Sequence, residues 1–286
     1  MRLSIATSVA AALLGLLLLS LSATAETVHF RTATTPPTPL QQRLARERGQ
    51  AVLEQPSEEI AGELYRPPGN GPFPAVVLLH GCAGRPSRKA EDVSVARFVA
   101  LGYVLLIVDS FGPRNVKERC TEFGPGPPVD RVMDAYGGLL YLAGSPFIDP
   151  DRIAVVGYSQ GGMVALSAAA LGGIDTLFDR HFRTAIAYYP PCGSLTGSVS
   201  IPTLVLIGEL DDWTPAQDCR DMMARRTGEG APLRLVVYSG AYHGFNGTTL
   251  RDKPRTFFGH HIEYNEAADQ AAWKETVRAL RQAFER

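Results

Sequence analysis

Residues 152–171 restrict the fold of this 286-residue chain more than any other stretch. An apolar run, Arg152-Ile-Ala-Val-Val-Gly-Tyr, leads to Ser159, and Gln160-Gly161-Gly162 and a helix-forming segment follow at once. G-x-S-x-G between a strand and a helix describes a sharp turn that leaves the serine hydroxyl in the open. The glycines serve a backbone that passes close to itself, and the central residue is strained. Free N–H groups at the helix start then face whatever the serine attacks. Ser159 is the candidate nucleophile.

Such a turn needs a sheet around it. Strand-length apolar runs at 60–65, 74–80, 103–109, 153–158, 184–189, 203–208 and 233–238 alternate with helical patterns at 92–101, 129–143, 160–171, 216–226 and 266–284. The strand runs are continuous in Val, Ile and Leu, as in strands buried on both faces. Their alternation with helices implies βαβ units, hence an α/β chain with a mostly parallel sheet. At 45% hydrophobic and 20% charged, the composition excludes a disordered chain. A net charge of −1 gives no electrostatic footprint for nucleic acid or for an anionic membrane surface. No repeat or second core is visible. One domain is expected over 59–286, after a 26–58 stretch that reads as a Pro-rich linker (Pro36, Pro37, Pro39) and a short helix in QQRLARERGQ. Gly124-Pro-Gly-Pro-Pro128 reads as a turn-rich loop.

The first 25 residues have the layout of a secretory signal peptide: Arg2, an apolar run, then Ala23-Thr24-Ala25 before Glu26. The alternative is an uncleaved anchor helix. Cleavage after Ala25 implies an exported protein, periplasmic or secreted, without membrane attachment. Four cysteines then lie where disulfides persist. Of the three connectivities, Cys82–Cys120 with Cys192–Cys219 is preferred, because each pair follows neighbouring strands; four buried thiols are the alternative.

A serine at its ordinary pKa needs a base held by a third group. His243, in Ser-Gly-Ala-Tyr-His243-Gly-Phe, follows the last strand run in a small-residue loop, at the edge where Ser159 emerges. His29 precedes the domain, His181 reads as surface, and His260 and His261 read as the approach to the final helix. The orienting acid should come from Gly208-Glu-Leu-Asp211-Asp212-Trp-Thr-Pro215, with Asp211 ahead of Asp212 and Glu209. The order Ser, Asp, His is that of the nucleophile-elbow hydrolases. Oxyanion N–H groups are expected from Gln160 and from Cys82 in His80-Gly-Cys82-Ala-Gly, with His80 structural. Tyr158, Trp213, Phe245, Tyr242 and Phe111 are candidates for an apolar pocket, against ordinary packing. Arg114, Arg85, Arg88 and Lys89 are candidates for an anionic substrate group, against a solvated loop or, for Arg114, a salt bridge. Asn246-Gly-Thr248 is a glycosylation sequon only in a host that modifies such sites. No metal site or cofactor is expected.

FPAVVLLHGCAG, VDSFGPR at 108–114, GYSQGG, IGELDDWTP, GAYHGF and YNEAADQA resemble, in this order, the dienelactone hydrolase family of α/β-hydrolases. The resemblance runs from about Ile60 to the C-terminus. It implies a twisted sheet of about eight strands, helices on both faces, and cofactor-free hydrolysis of a small ester or lactone through an acyl-enzyme. Enzymes of that kind which open dienelactones carry Cys and Glu where this chain has Ser159 and Gly81. Other readings of the same residues are a peptidase, an acyltransferase, or a non-catalytic exported binding protein.

Overall fold

Residues 75–79, the last five of the Phe73–Leu79 strand, are all buried, so neither face of that stretch meets water. Helices must therefore cover both sides of the sheet that holds it. The computed structural model describes residues 24–35, 37–52, 57–121 and 130–285. In chain order the elements are β1 (Thr24–Arg31), α1 (Pro39–Glu47), β2 (Glu59–Arg66), β3 (Phe73–Leu79), α2 (Arg88–Ala100), β4 (Val104–Asp109), α3 (Arg131–Ala143), β5 (Ile148–Tyr158), α4 (Gln160–Ala168), β6 (Ala185–Tyr188), β7 (Thr203–Gly208), α5 (Ala216–Ala224), β8 (Leu233–Tyr238), β9 (Arg255–Phe257), β10 (His260–Ile262) and α6 (Glu266–Phe284). Among the described residues, no helix is long and apolar enough to cross a membrane.

Eight strands form one sheet in the order β1-β2-β4-β3-β5-β6-β7-β8. The pairs from β4 onward are parallel, whereas β1–β2 and β2–β4 are antiparallel. Burial follows this layout. β7 is buried at every position, while β2 alternates buried and partly exposed residues, as expected for a strand with one covered face. The strand order reverses around β3, and in open α/β sheets ligands bind outside the carboxyl ends near such a point. Ser159, the His80–Cys82 loop, Asp211 and His243 all follow the carboxyl ends of β5, β3, β7 and β8.

Several expectations change. Residues 26–31, read as linker, lie in β1, whose Val28 and Phe30 point into the core while their neighbours stay exposed. A period of two over so few residues was lost beside the prolines that follow. The next turn rests on α3: a Cβ at Gly137 would stand 2.4 Å from Arg31 O, so only glycine permits this approach. α1 does form and has no buried residue; a Thr38–Gln41 capping box starts it. His260 and His261 sit in β10, which pairs with β9 in a separate two-stranded sheet instead of leading into α6. Residues 1–25, expected to be an export signal, fall outside the described residues except for Thr24 and Ala25, and the 124–128 loop and Pro36 fall outside them as well.

Candidate active site

The backbone at Ser159 is fixed by what surrounds it. Ser159 has φ 53° and ψ −120°, a conformation costing of order 1–3 kcal/mol for a non-glycine residue. The turn is so tight that a Cβ at Gly157 would lie 2.0 Å from Gly161 O, and one at Gly161 would lie 2.4 Å from Leu79 O. Both positions therefore require glycine. Ser159 N–H donates to Tyr188 C=O at 2.9 Å, which ties the turn to β6.

Ser159 Oγ lies 3.0 Å from His243 Nε2, and His243 Nδ1 lies 2.8 Å from Asp211 Oδ2. Asp211 and His243 are both buried, each about 4% exposed. Asp211 Oδ1 accepts the N–H groups of Trp213 (3.0 Å) and Thr214 (2.8 Å), an arrangement that closes the turn into α5. The Thr214 hydroxyl lies 2.9 Å from Asp211 Oδ2, 3.0 Å from Tyr189 C=O and 3.1 Å from His243 Nδ1. The imidazole sits between the Tyr189 ring (4.6 Å) and the Trp213 ring (5.0 Å). A chain of this form can pass a serine proton to the imidazole and steady the imidazolium that results. The competing acids are engaged elsewhere. Asp212 accepts from His261 N–H, and Glu209 accepts from the Ser239 hydroxyl at 2.6 Å and from Gly240 N–H.

A cavity of about 570 Å³ opens over Ser159 and His243. Cys82, Tyr158 and Trp213 line it, as do residues that the sequence did not single out, among them Tyr189, Arg97 and Phe257. Gly81 abuts the serine, since a Cβ there would lie 3.5 Å from Ser159 Cβ. Gln160 opens α4, and Arg131 holds its side chain through Oε1 at 2.8 Å. Cys82 is disulfide-bonded to Cys120 and Cys192 to Cys219, and no described cysteine is free.

Other pocket candidates lie elsewhere. Phe245 is fully buried against Tyr188, Tyr189 and Tyr238, because the chain turns inward at Gly244, where φ is 72°. Phe111 is buried against His80, and Tyr242 packs on His261. Arg114 makes a two-pronged bond to Asp134 at 2.8 Å and also reaches Glu58 and Ser110 C=O. The fully buried Asp134 carboxylate requires that cation, which keeps it from the cavity. Arg85 lines the cavity but is bonded to Glu91, and Arg97 is bonded to Asp269 through both terminal nitrogens. Arg88 pairs with Asp92 on its own helix. Asn246 lines the cavity and accepts the Tyr189 O–H at 2.7 Å, away from the surface role a sequon implies. Burial raises the pKa of Tyr189 well above its ordinary value and raises that of Tyr158, so both rings remain neutral hydrogen-bonding walls. Among the described residues, no group of three or more His, Cys, Asp or Glu is placed to hold a metal ion.

Sequence reading missed Thr214, Tyr189, Arg131 and the β9–β10 hairpin. Nothing in the order of residues marked the hairpin, whose Ile262 bridges to His243 across the chain.

The dienelactone hydrolase family model matches residues 60–284. A probable 2-oxo-3-(5-oxofuran-2-ylidene)propanoate lactonase of a Bradyrhizobium species is 25% identical over 76% of this chain and 87% of its own length. Acylamino-acid-releasing enzyme 1 of rice is 23% identical over 65% of this chain and 28% of its own. The crystal structure of a putative dienelactone hydrolase from Klebsiella pneumoniae superposes with a TM-score of 0.59 at 17% identity, covering 90% of this chain and 99% of that one. With the sheet order and the serine turn described above, the family match establishes that the chain is a hydrolase of the α/β-hydrolase fold and belongs to the dienelactone hydrolase family.

Proposed function

We propose that this hydrolase cleaves a carboxylic ester or lactone through an acyl-enzyme on Ser159. His243 Nε2 takes the Ser159 proton as Oγ attacks the carbonyl carbon, and Asp211 orients the imidazole through Nδ1. The developing oxyanion is received by the N–H groups of Cys82 and Gln160. Collapse releases the alcohol, which takes its proton from His243. Water, activated by the same imidazole, then attacks the acyl carbon and frees the acid. The observation that carries this reading is the unbroken chain from Ser159 Oγ to His243 (3.0 Å) to Asp211 (2.8 Å) beneath an open cavity.

Two features favour an ester over a dienelactone. Position 81 is glycine, so no carboxylate stands beside the nucleophile, and the nucleophile is a hydroxyl instead of a thiol. The walls formed by Trp213, Tyr189 and Phe257 favour an apolar or aromatic group on the substrate. Export is part of the same proposal. Two disulfides fit an oxidising compartment, and cleavage after Ala25 removes the first two residues of β1 while Glu26–Arg31 stay paired with β2.

The test is the intact mass of the exported protein before and after a fluorophosphonate probe, beside Ser159→Ala. One adduct, absent from the variant, and a chain beginning at Glu26 are expected. No adduct on folded protein would sink the acyl-enzyme reading. A panel of esters, lactones and anilides then assigns the bond. Faster anilide than ester turnover would move the proposal to a peptidase.

A further inference from the structure

Arg131 is buried where a cation is expensive. It is about 5% exposed, and among the described residues no carboxylate lies within 4 Å of its guanidinium. The nearby Asp134 already serves Arg114. Burial pushes the Arg131 pKa down to about 10, a sign of how poorly the site repays the charge. Its nitrogens go to neutral acceptors. Nη2 donates to His80 C=O at 2.6 Å and Nη1 to Gln160 Oε1 at 2.8 Å, while Nε finds no partner. One side chain thus ties the end of β3 to the first residue of α4.

The two tied segments carry the two N–H groups assigned above to the oxyanion. At the β3 end, His80 Nδ1 is 2.7 Å from Gly81 C=O, and its Nε2 accepts Ser110 N–H at 3.3 Å. These partners place the ring proton on Nδ1, where it donates to Gly81. In a planar trans peptide, C=O and the next N–H point in opposite directions. Holding Gly81 C=O against the His80 ring therefore turns the Cys82 N–H away from that ring and fixes its direction. The following peptide is held as well, since Arg119 N–H donates to Cys82 C=O at 2.7 Å.

We propose that Arg131 is a positioning residue for oxyanion stabilisation: bonded to the His80 carbonyl and the Gln160 side chain, its guanidinium sets the direction of the Cys82 and Gln160 N–H groups. It touches no substrate. Its unpaired charge, in a low-dielectric interior, adds attraction for the negative charge that forms above it. This inference rests on the acyl-enzyme reading.

The test compares wild-type protein with Arg131→Gln, Arg131→Lys and Gln160→Ala on a p-nitrophenyl ester and on its thiono analogue. Sulfur is a weak acceptor, so a well-aimed pair of donors strongly favours the oxygen ester, and a misaimed pair favours it less. Arg131→Gln should lower kcat about 10- to 100-fold, less than the loss of a whole oxyanion donor, with KM within about threefold. The oxygen-to-sulfur rate ratio should shrink in parallel. Arg131→Lys cannot span both partners and should fall between. Wild-type kcat and ratio in a folded Arg131→Gln protein overturn the proposal. If the Arg131 variants do not fold, Gln160→Ala decides: it keeps the backbone N–H and removes the held Oε1, and an unchanged ratio overturns the proposal. Wild-type protein that neither labels with fluorophosphonate nor turns over overturns the acyl-enzyme reading and this proposal together; a labelled wild type with unaffected variants overturns this one alone.

Discussion

The floor of the cavity and its mouth are built in opposite ways. On the floor, Asp211 accepts two backbone N–H groups and meets the Thr214 hydroxyl and His243 Nδ1 through Oδ2, and glycines that tolerate no side chain fix the serine turn. A disulfide holds the neighbouring loop. At the mouth, the β9–β10 hairpin has three residues per strand, is tied to the site by the Ile262–His243 bridge and by His261 N–H on Asp212, and otherwise meets it through rings. His260 stacks on Trp213 at 5.0 Å and 10°, with Phe257 and Phe258 at 6.0 and 6.2 Å, and Phe258 is 40% exposed. Hydrogen bonds have narrow angular tolerance, whereas ring contacts accept many geometries. The floor thus suits bond breaking, which fails with small displacements, and the mouth suits recognition, which can vary.

The largest effect should come from breaking the floor. Asp211→Asn keeps the shape but favours the wrong imidazole tautomer, and kcat should fall roughly 10³- to 10⁴-fold. Asp212→Asn, whose exposed carboxylate meets the hairpin through His261 N–H, should stay within about threefold. Steady-state kinetics on one ester checks both. Equal losses would erase the distinction between the two acids.

The disulfides divide the molecule next. Cys82–Cys120 spans 38 residues and Cys192–Cys219 spans 27, so each should contribute roughly 3–4 kcal/mol in the chain-entropy account. Replacing either pair by serine should therefore lower stability by a similar amount in urea titration. Only the Cys82–Cys120 pair adjoins the serine, so only its loss should also lower kcat in native conditions. A kcat unchanged in both variants would remove that bridge from the floor.

Trp213→Ala tests the mouth. Loss of its ring face should reduce kcat/KM for an aryl ester about tenfold, mostly through KM, while an acetyl ester changes less than about threefold. A uniform fall in kcat on both would mean that Trp213 serves the imidazole it touches at 5.0 Å instead of the substrate.

How far the sequence could be read follows the same division. The turn at Ser159, the buried strands and the His243 loop each arise from local rules: glycine spacing, continuous apolar runs and strand ends. Asp211, whose carboxylate reaches His243, is legible as a strand-end acid because it follows β7, although preferring it to Asp212 requires knowing which carboxylate turns inward. β1 was missed because Val28 and Phe30 offer only two buried positions, and its place at the sheet edge is set by partners 28 to 42 residues away. Phe245 shows the opposite error. Its place beside His243 suggested the pocket, but a single glycine turn at Gly244 sends the ring into the core. Arg131 acts through carbonyl and amide oxygens 29 and 51 residues distant, contacts that no spacing rule encodes.

His80 provides the smallest test. Burial, and then the Arg131 charge, hold its pKa well below 6.5. In the unfolded chain the same imidazole takes up a proton near pH 6.5, so below that pH the unfolded state binds a proton that the native state refuses. Stability from this group is therefore complete above about pH 6.5 and declines as the pH falls, by at most about 1.4 kcal/mol per unit. In a chain of this size, 1 kcal/mol corresponds to about 2–4 °C in Tm. His80→Gln lacks the titration, so its Tm should fall less than that of the wild type between about pH 7.5 and 5.5, whatever its starting value. Carboxylates elsewhere contribute equally to both proteins and cancel in the comparison. Parallel Tm losses would mean that the imidazole under the floor can be protonated without unfolding, and the fixed Nδ1–H that aims the Gly81–Cys82 peptide would lose its basis.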